Sequence, residues 1–599
     1  MTETPSLQPA GQKEKTWFGH PRLLALLFTT EMWERFGYYG MRALLILYMI
    51  HHFMFTDYVA GGLYGAFTSL VYLTPLIGGF IADRYIGSKK AVKTGAILMS
   101  VGYLMLAFSG GDDAKPNVTI NGQLYQVRIA EQEGKAIKYV VDGADNYKIT
   151  VNKDKSIALE GAKGPVPSVV PSSDYQFGAK RNPFNVMLFF VSLAIVIVGN
   201  GYFKPNITTI VGQLYTREDR RRDTAYTIFY MGINLGSILS QVLAPMIAAA
   251  WGYKWGFAFA GFGMVLAWAR FQFGKKALTN YGNPPEGIKQ RDFLFAICTL
   301  LAIPVVWFLL NNAMEAAAVA RDVAGTGVWA FVVAQPLLGK VMIIVFMAVV
   351  LGLPAWAFAA LTPIERDRMI VAVVLTIFAV AFFTLFEQAG SSLTNFADRN
   401  TNLNFGPYVL FGHTLNYVMP AGQVQMYNPI FIVVFAPLFS LMWHVLGKMG
   451  IEPTVPLKFA FGLILVGLGF LVLVFCSKYH DAAFQVPLFW LVMAYLLHSL
   501  GELCLSPVGL SAVSKLSVQK LVGMMFGVWL LASAMAQYVA GIIAQFASTE
   551  TVGGQVLDPE VSLNTYLGVF QTIGYWGIGS GVLMLILWPL LKKGMHGIR

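Results

Sequence analysis

Apolar segments long enough to cross a bilayer recur along the whole chain, and they constrain its fold more than any other feature. About 20 apolar residues span the hydrocarbon core as an α-helix. Of the 599 residues, 56% are hydrophobic and 13% are charged, whereas soluble proteins carry about 25% charged residues. Because backbone groups in lipid must be hydrogen-bonded internally, the sequence predicts an all-α polytopic membrane protein.

We predict about 14 membrane-spanning helices. Their approximate bounds are 21–50, 57–82, 90–110, 184–212, 222–248, 254–273, 292–312, 335–361, 369–397, 427–449, 456–477, 485–512, 520–547 and 564–591. Lysine and arginine concentrate in alternate loops, for example at Lys89, Arg221 and Lys592. The positive-inside rule then places these loops and both termini in the cytoplasm.

The spans fall into three predicted regions with one insertion. Residues 1–273 form an N-terminal six-helix bundle, 274–364 a linker with an extra helical hairpin, and 365–599 a C-terminal six-helix bundle. The long polar segment 111–182 interrupts the first bundle and alternates apolar with polar residues around Asn-Gly and Asp-Gly pairs. Such pairs favour hairpin turns, so we predict a small β-rich domain on the outer side of the membrane.

Five ionisable residues share one stripe of the first apolar segment. They are Glu31, Glu34, Arg35, Tyr38 and Arg42. At 100° per residue they lie within about 100° of one another, with Tyr39 at the edge. A charge at the centre of a membrane helix costs about 2.5–3.5 kcal/mol. These residues must therefore pair with each other or line a water-filled cavity, and we interpret the stripe as part of a transport pathway.

The loop after the second apolar segment reads GGFIADRYIGSKK (residues 78–90). It resembles the G-x-x-x-D-R-x-G-[RK] signature of the major facilitator superfamily. The resemblance implies two six-helix bundles that rock against each other, here with a two-helix insertion between them. It also implies that Asp83 and Arg84 form and break gating contacts, although an ordinary charged helix cap is the alternative.

Motifs in both halves extend the resemblance to a family. The stretch EMWERFGYYG (31–40) resembles the E-x-x-E-R-F-x-Y-Y-G motif of the proton-dependent oligopeptide transporter (POT/PTR) family. Further matches are GYFKPN (201–206), FYMGINLG (229–236), FEQ (386–388) and GELCLSP (501–507). The resemblance covers the chain except the predicted β insertion, which bacterial members typically lack at this place.

The family resemblance implies how a small peptide is bound. Arg35 and Lys204 would hold the peptide carboxylate, because guanidinium and ammonium groups bind carboxylates through charge-assisted hydrogen bonds. Arg42 would join them, unless it only pairs structurally with acids. Glu502 would hold the peptide ammonium group. The remaining candidates are Asn234 and Asn428 as neutral partners of Glu502, and Tyr38, Tyr39, Tyr72, Ser506 and Trp529, of which the aromatic ones could equally be packing residues.

The same resemblance implies proton coupling without any cofactor. Glu31, Glu34 and Glu387 would exchange protons, with Arg35 and Lys204 as their cationic neighbours. The expected function is proton-coupled import of di- and tripeptides by alternating access. We expect a monomer in the bacterial inner membrane, whose partners are peptides, protons and lipid.

Three other functions are weaker interpretations. A nitrate or organic-anion carrier could use the same N-terminal cations but has no use for Glu502. A receptor or scaffold would depend on the 111–182 domain. An enzyme lacks support, since the sequence offers no nucleophile–base pair, metal cluster or phosphate loop. The formal charge of +11 does not indicate nucleic-acid binding, because the cations lie in loops between apolar segments.

Overall fold

The computed structural model describes most of the chain. The described residues are 16–110, 114–132, 135–152, 156–162, 166–171, 173–216, 219, 221–288, 291–323, 327–410 and 413–598. The extreme termini, which the orientation prediction places in the cytoplasm, lie outside these residues.

Sixteen α-helices lie in the described part of the chain. They are α1 (Arg22–Leu47), α2 (Asp57–Ile81), α3 (Ser88–Leu106), α4 (Pro183–Gln213), α5 (Arg221–Trp251), α6 (Tyr253–Gly274), α7 (Asp292–Val323), α8 (Val328–Ala334), α9 (Leu337–Ala360), α10 (Pro363–Phe386), α11 (Ser392–Asn400), α12 (Tyr427–Lys448), α13 (Val455–Cys476), α14 (Leu488–Leu516), α15 (Val522–Phe546) and α16 (Pro559–Gly594). All but the short α8 and α11 are long enough to cross a membrane. The fourteen long helices equal the predicted number of spans.

Hydropathy alone identifies 11 of the fourteen as candidate spans. The other three are α1, α3 and α6. Charged residues lower the score of all three helices, including Lys254 and Arg270 in α6. The helices that hydropathy misses therefore include the one that carries the predicted transport stripe.

The first six long helices pack mainly on one another. Helix α1 lies against α5 and α6, and α3 lies against α4 and α6. Glycines allow the close approach: a Cβ atom at Gly95 would lie only 2.5 Å from the carbonyl oxygen of Gly199. Among the last six, α13 packs on α14 and α16, while α10 packs on α14 and α15. The predicted region limits at 273 and 364 stay predictions.

The two groups of six helices meet along α2 and α15 and, less extensively, along α5 and α12. The backbones of α2 and α15 come close at Gly65 and Gly541, where a Cβ on Gly65 would lie 2.7 Å from the Cα of Gly541. Helices α7 and α9 lie outside this contact. Helix α7 packs on α2 and α4, whereas α9 packs on α10 and α15, so the hairpin helices divide between the two groups.

The ninth predicted span, 369–397, corresponds to one candidate membrane span, Pro363–Asn400, but its helix is interrupted. Helix α10 ends at Phe386, a 3₁₀ turn covers Glu387–Gly390, and α11 begins at Ser392. The break packs tightly against α2, since a Cβ on Gly390 would overlap the Tyr64 hydroxyl. It places the Glu387 carboxylate between the two helical groups.

The insertion forms a seven-stranded antiparallel sheet, which confirms the predicted small β insertion. Its strands are β3 (Lys115–Ile120), β4 (Gln123–Gln132), β5 (Lys135–Asp142), β6 (Asp145–Val151), β7 (Ile157–Glu160), β8 (Val169–Val170) and β9 (Tyr175–Lys180), in the order β8-β7-β6-β5-β4-β3-β9. Asn121 and Gly122 join β3 to β4 with φ of 49° and 81°. Positive φ at both residues is typical of the hairpin turn that Asn-Gly favours.

Short strand pairs complete the secondary structure. They are β1 (Thr16–Trp17) with β2 (His20–Pro21), β10 (Thr401–Asn402) with β13 (Val486–Pro487), β11 (Asn404–Leu410) with β12 (His413–Val418), and β14 (Thr551–Val552) with β15 (Gln555–Val556). We call the end of the helical bundle that carries the seven-stranded sheet the sheet end, and the other the opposite end.

The sheet contacts both helical groups. At its base, Arg181 donates hydrogen bonds to the carbonyl oxygens of Phe53 and Met54, both at 2.6 Å. On the other side, Lys138 of β5 donates to the carbonyl of Val556 in β15, and Val552 packs into the core of the sheet. An insertion in the N-terminal group thus lies against the loop between α15 and α16.

Candidate functional site

The predicted stripe on α1 forms an acid–arginine cluster. Arg35 Nε lies 3.0 Å from Glu31 Oε1 and 2.5 Å from Glu34 Oε2, and all three side chains are buried. The three residues belong to one helix, with Glu31 and Arg35 four positions apart, so the helix itself sets this geometry. The two acids leave buried oxygens without a hydrogen bond among the described residues, so they can accept further bonds or protons.

Lys204 brings a second cation to this cluster from α4. Its Nζ lies 4.3 Å from the centre of the Tyr72 ring, a distance that permits a cation–π interaction. It is also close enough to Glu31 and Glu34 to interact with them electrostatically. Pro205 follows directly within α4 and removes one helical hydrogen bond beside the lysine.

Arg42 connects the two helical groups. Its Nε donates to the Tyr64 hydroxyl at 2.7 Å, and its Nη2 forms a buried ion pair with Glu387 in the turn after α10. Glu387 is the acid that the FEQ motif indicated. The pair joins residues 345 positions apart, so it exists only while the two groups are in contact here.

The acid on the other wall is Glu502 of α14. Asn428 of α12 donates from one nitrogen to Glu502 Oε2 and to the Ser499 hydroxyl, both at 3.0 Å. Among the described residues, no cation forms an ion pair with Glu502. The carboxylate is thus held in place by a neutral amide and can accept a cationic group.

Arg42, Glu387, Asn428 and Glu502 border a cavity of about 170 Å³ between the two groups. Its lining is Tyr39, Arg42, Tyr72, Tyr230, Ile233, Asn234, Ser237, Gln241, Phe383, Phe386, Glu387, Ala389, Gln425, Asn428, Pro429 and Glu502. Seven of the residues singled out in the sequence are among them. One wall carries the Arg42 guanidinium and the other the Glu502 carboxylate, so the cavity can bind a molecule with charges of both signs.

The other predicted residues lie away from the lining. Tyr38 is buried beside Arg35, with 5.4 Å between the guanidinium carbon and the ring centre. Trp529 makes an edge contact with the lining residue Phe383, with ring centres 6.5 Å apart. Glu31, Glu34, Arg35 and Lys204 form the cluster described above, and Ser506 lies farther along α14 from Glu502. The remaining pair, Asp83 and Arg84, lies at the opposite end.

The gating pair is exposed in a π-helical turn that follows α2 (Ala82–Ile86). Arg84 lies over the Phe80 ring at 5.9 Å. In the part of the chain that the structure describes, neither Asp83 nor Arg84 forms an ion pair, so their gating role stays a prediction.

Sequence reasoning missed a polar stripe on α5. Tyr230, Ser237 and Gln241 line the cavity together with the predicted Asn234. These four residues are spaced four, three and four positions apart, which places them on one helical face. The same periodicity that revealed the stripe on α1 was therefore available here, but neutral side chains gave it a weaker signal.

Sequence reasoning also missed a second buried ion pair between the two helical groups, at the sheet end. Arg399 of α11 donates from Nη2 to Asp57 Oδ1 at 2.6 Å, and from Nη1 to the hydroxyls of Thr549 and Tyr566 at 2.9 and 3.3 Å. Asp57 begins α2, so this pair also joins the two helical groups. From the sequence both residues resembled ordinary loop charges.

Fold and site together define a class of protein. Two groups of six long helices enclose a cavity with charged walls, which is the architecture of a membrane transporter of the major facilitator type. The model of the POT family matches residues 89–557 of the chain. The chain belongs to the POT family and is a bacterial integral membrane protein.

Individual relatives agree over nearly the full length. An uncharacterized transporter, YclF of Bacillus subtilis (strain 168), is 32% identical and covers 98% of this chain and 97% of its own. Dipeptide and tripeptide permease A of Klebsiella pneumoniae (strain 342) is 30% identical, and the match covers 98% of this chain and 96% of the permease. A crystal structure of the peptide transporter POT with sulfate is similar with a TM-score of 0.69, 29% identity and 98% coverage of each chain.

Proposed function

We propose that this chain is a proton-coupled symporter that imports di- and tripeptides by alternating access. The proposal rests on the two charged walls of the cavity. Arg42 lies on the wall of the N-terminal group, and Glu502 lies on the wall of the C-terminal group. A zwitterionic peptide has a carboxylate for one wall and an ammonium group for the other. The names of the permease relative and of the POT structure support this substrate class.

Peptide binding draws on both walls. Glu502 and Asn428 receive the ammonium group, and the cations Arg35, Arg42 and Lys204 attract the carboxylate. Desolvated charge pairs of this kind give strong, directional hydrogen bonds. Side chains of the peptide meet Tyr39, Tyr72, Phe383 and the other aromatic residues of the lining, which accept many shapes, so we expect broad specificity.

Protons act on the ion pairs. When Glu387 takes up a proton, it loses its charge attraction to Arg42, and the guanidinium becomes available to the peptide carboxylate. Glu31 and Glu34 exchange protons in the same way beside Arg35. Each inward proton contributes about 2.3 kcal/mol per 100 mV of membrane potential, which is sufficient to drive uptake against a gradient.

Alternating access requires the sheet end to open. In the arrangement described here, Asp57 and Arg399 hold the two groups together at that end, and Arg42 and Glu387 hold them together deeper in the bundle. We propose that both pairs separate when the cavity faces the sheet end.

The proposal places the protein in the bacterial inner membrane with both termini in the cytoplasm. The distribution of lysine and arginine between the loops supports this orientation. The proposed unit is a monomer, because one chain supplies the whole lining of the cavity. Protons are the coupling ion, and the proposal requires no cofactor.

Uptake of labelled dialanine into proteoliposomes tests the function. We expect concentrative uptake under an inward proton gradient and a negative-inside potential, loss of uptake with a protonophore, and competition by assorted di- and tripeptides. Failure of the folded protein to take up peptide under these conditions would contradict the proposal.

The anion-carrier alternative makes the opposite prediction for Glu502. In a peptide carrier, Glu502→Ala removes the partner of the ammonium group and abolishes dialanine uptake. In a carrier of nitrate or organic anions, the same change has no effect on transport. Glu286→Ala is the matched control, since Glu286 is an exposed acid far from the cavity in sequence.

A further inference from the structure

A larger cavity, of about 640 Å³, lies at the opposite end of the bundle and has no role in the proposed transport cycle. It opens between the turn that joins α2 to α3, the residues after α6, and the start of α7. Its lining includes five lysines and one acid, namely Lys89, Lys90, Lys93, Lys275, Lys276 and Asp292. The local excess of positive charge is large, and like charges held this close repel each other.

Only part of this charge is compensated within the described chain. Lys90 pairs with Asp292, whereas Lys89 donates to the carbonyl oxygen of Leu278 at 2.9 Å and Lys275 donates to Gln272 at 3.0 Å. These two contacts fix the ammonium groups but leave their charge in place. Lys93 and Lys276 form no ion pair among the described residues. An anion would therefore complete the cavity.

The first turn of α3 adds to this preference. Three of the five lysines, Lys89, Lys90 and Lys93, belong to that turn and the next residues. The helix begins after Gly87, which makes no side-chain cap. The positive end of the helix dipole therefore lies beside the lysines and favours an anion at the same place.

Apolar surface begins directly beside the cavity. Asp292, which lines it, is the first residue of α7, and the exposed apolar residues that follow on this helix are Phe293, Leu294, Ile297, Leu300, Leu301 and Val305. Phe273, just before the lysines that follow α6, is 82% exposed. The cavity thus lies at the boundary between an apolar, lipid-facing surface and a cluster of cations.

We propose that this cavity binds the phosphate headgroup of an anionic phospholipid, whose acyl chains lie along the exposed apolar face of α7. Lysine clusters between helix ends suit anionic headgroups. A soluble phosphate would satisfy the lysines equally well, but it would leave the adjoining apolar face without a role. The apolar face is the reason to assign the phosphate to a lipid.

The test measures binding to the full-length protein in neutral detergent. The probe is short-chain phosphatidylglycerol, and microscale thermophoresis or the shift of the thermal unfolding midpoint gives the affinity. Phosphatidylcholine of the same chain length and inorganic phosphate are the comparison ligands. We expect saturable binding of phosphatidylglycerol that weakens with salt, and at least ten-fold weaker binding of both comparison ligands.

The double variant Lys93→Gln/Lys276→Gln locates the site. Both lysines lack an ion pair among the described residues, so their replacement should leave the fold intact. Because each lysine near an anionic surface adds to the attraction, the loss of both should weaken the affinity for phosphatidylglycerol about ten- to thirty-fold. Lys592→Gln/Lys593→Gln, which removes the same charge from the exposed end of α16, should bind like the wild type.

Three outcomes would overturn the proposal. Equal losses in the two double variants would mean that the lipid responds only to net charge. Equal affinity for phosphatidylcholine would mean that the lysines do not select the anion. Inorganic phosphate that binds as tightly as phosphatidylglycerol would assign the cavity to a soluble anion.

Discussion

Two kinds of buried charge lie within this bundle, and they differ in what holds them together. The acid–arginine cluster of Glu31, Glu34 and Arg35 lies within one helix and persists however the two helical groups move. The bridging pairs, Arg42–Glu387 and Asp57–Arg399, join the two groups, so a movement that separates the groups at these points would break them. We propose that the cluster is a constant site for protons and anions, whereas the bridging pairs form and break as the conformation changes.

The largest effect on transport is expected from breaking the inner bridging pair with Glu387→Gln. The amide cannot take up a proton and cannot neutralise Arg42. We expect proton-driven dialanine uptake to fall about 100-fold, a loss at the upper range of coupling between two sites. Peptide exchange without a proton gradient should continue at a measurable rate.

The control is Glu365→Gln at the start of α10, where Glu365 forms a capping box with Thr362 that glutamine can also form, so this variant should transport normally. Equal loss of driven uptake and of exchange in Glu387→Gln would mean that the pair supports the fold or binding rather than coupling.

Asp57→Asn tests the outer bridging pair. Removing one partner of a buried pair leaves the other uncompensated and typically costs 3–5 kcal/mol. Only the arrangement with the sheet end closed contains this pair, so the variant should shift the population toward an open sheet end. Spin labels at Phe108 and Glu560, exposed positions on the two groups, should show a longer distance as the major population.

Asp292→Asn breaks a pair at the opposite end and should leave that distance unchanged. If Asp57→Asn leaves the distance between the labels at Phe108 and Glu560 unchanged, the outer pair does not control the conformation.

Glu34→Gln tests the acid–arginine cluster rather than the bridging pairs. The change removes a charge from the cluster but no contact between the helical groups. We therefore expect uptake to fall about ten-fold, through the loss of one charged hydrogen-bonding partner of Arg35, while the distance between labels at Phe108 and Glu560 stays that of the wild type. A shift in distance comparable to that of Asp57→Asn would erase the distinction between cluster and bridging pairs.

A smaller effect is expected on the lining of the cavity from Tyr230→Phe. Tyr230 lines the cavity one helical turn before the predicted Asn234 in the stripe on α5. Loss of one neutral hydrogen bond costs about 0.5–1.5 kcal/mol, so KM for dialanine should rise about two- to ten-fold with little change in maximal rate. Tyr226→Phe, one turn earlier and not part of the lining, is the control, and equal effects of both would exclude a specific contact.

The part of the fold that could be predicted follows from two strong periodic signals. Membrane helices need long apolar runs, and the sheet insertion shows alternation with an Asn-Gly turn, so both could be located from the sequence. The break after Phe386 could not, because it depends on the close packing of Gly390 against Tyr64 of another helix.

The same distinction applies to the site. The cluster on α1 was visible because its members are neighbours on one helix. The Asp57–Arg399 pair was not, since its partners lie 342 positions apart and meet only through the tertiary fold. The neutral stripe of Tyr230, Ser237 and Gln241 follows the same helical periodicity, but uncharged residues cost little in a membrane helix and so give a weaker signal than charged ones.

The smallest effect concerns the contact between the sheet and the C-terminal group. Burial lowers the pKa of Lys138 to about 8, so the folded sheet releases this proton more readily than the unfolded chain, whose lysine has a pKa near 10.4. Between pH 8 and about 10 the unfolded state binds more protons, and the stability of the docked sheet should rise with pH, by at most about 1.4 kcal/mol per unit. Lys138→Met should lack this rise.

Limited proteolysis of the sheet in the full-length protein, followed across urea concentrations at several pH values, measures this slope. Lys148→Met is the matched control, because Lys148 lies on the neighbouring strand and is paired with Glu160 at the surface. If wild type and Lys138→Met show the same dependence on pH, the buried ammonium group is not what links the docking of the sheet to pH. The sheet contacts both helical groups. If the pH dependence is found, the contact of Lys138 with Val556 is a third connection between the groups, outside the membrane, and we expect it to separate, like the two bridging pairs, when the sheet end opens.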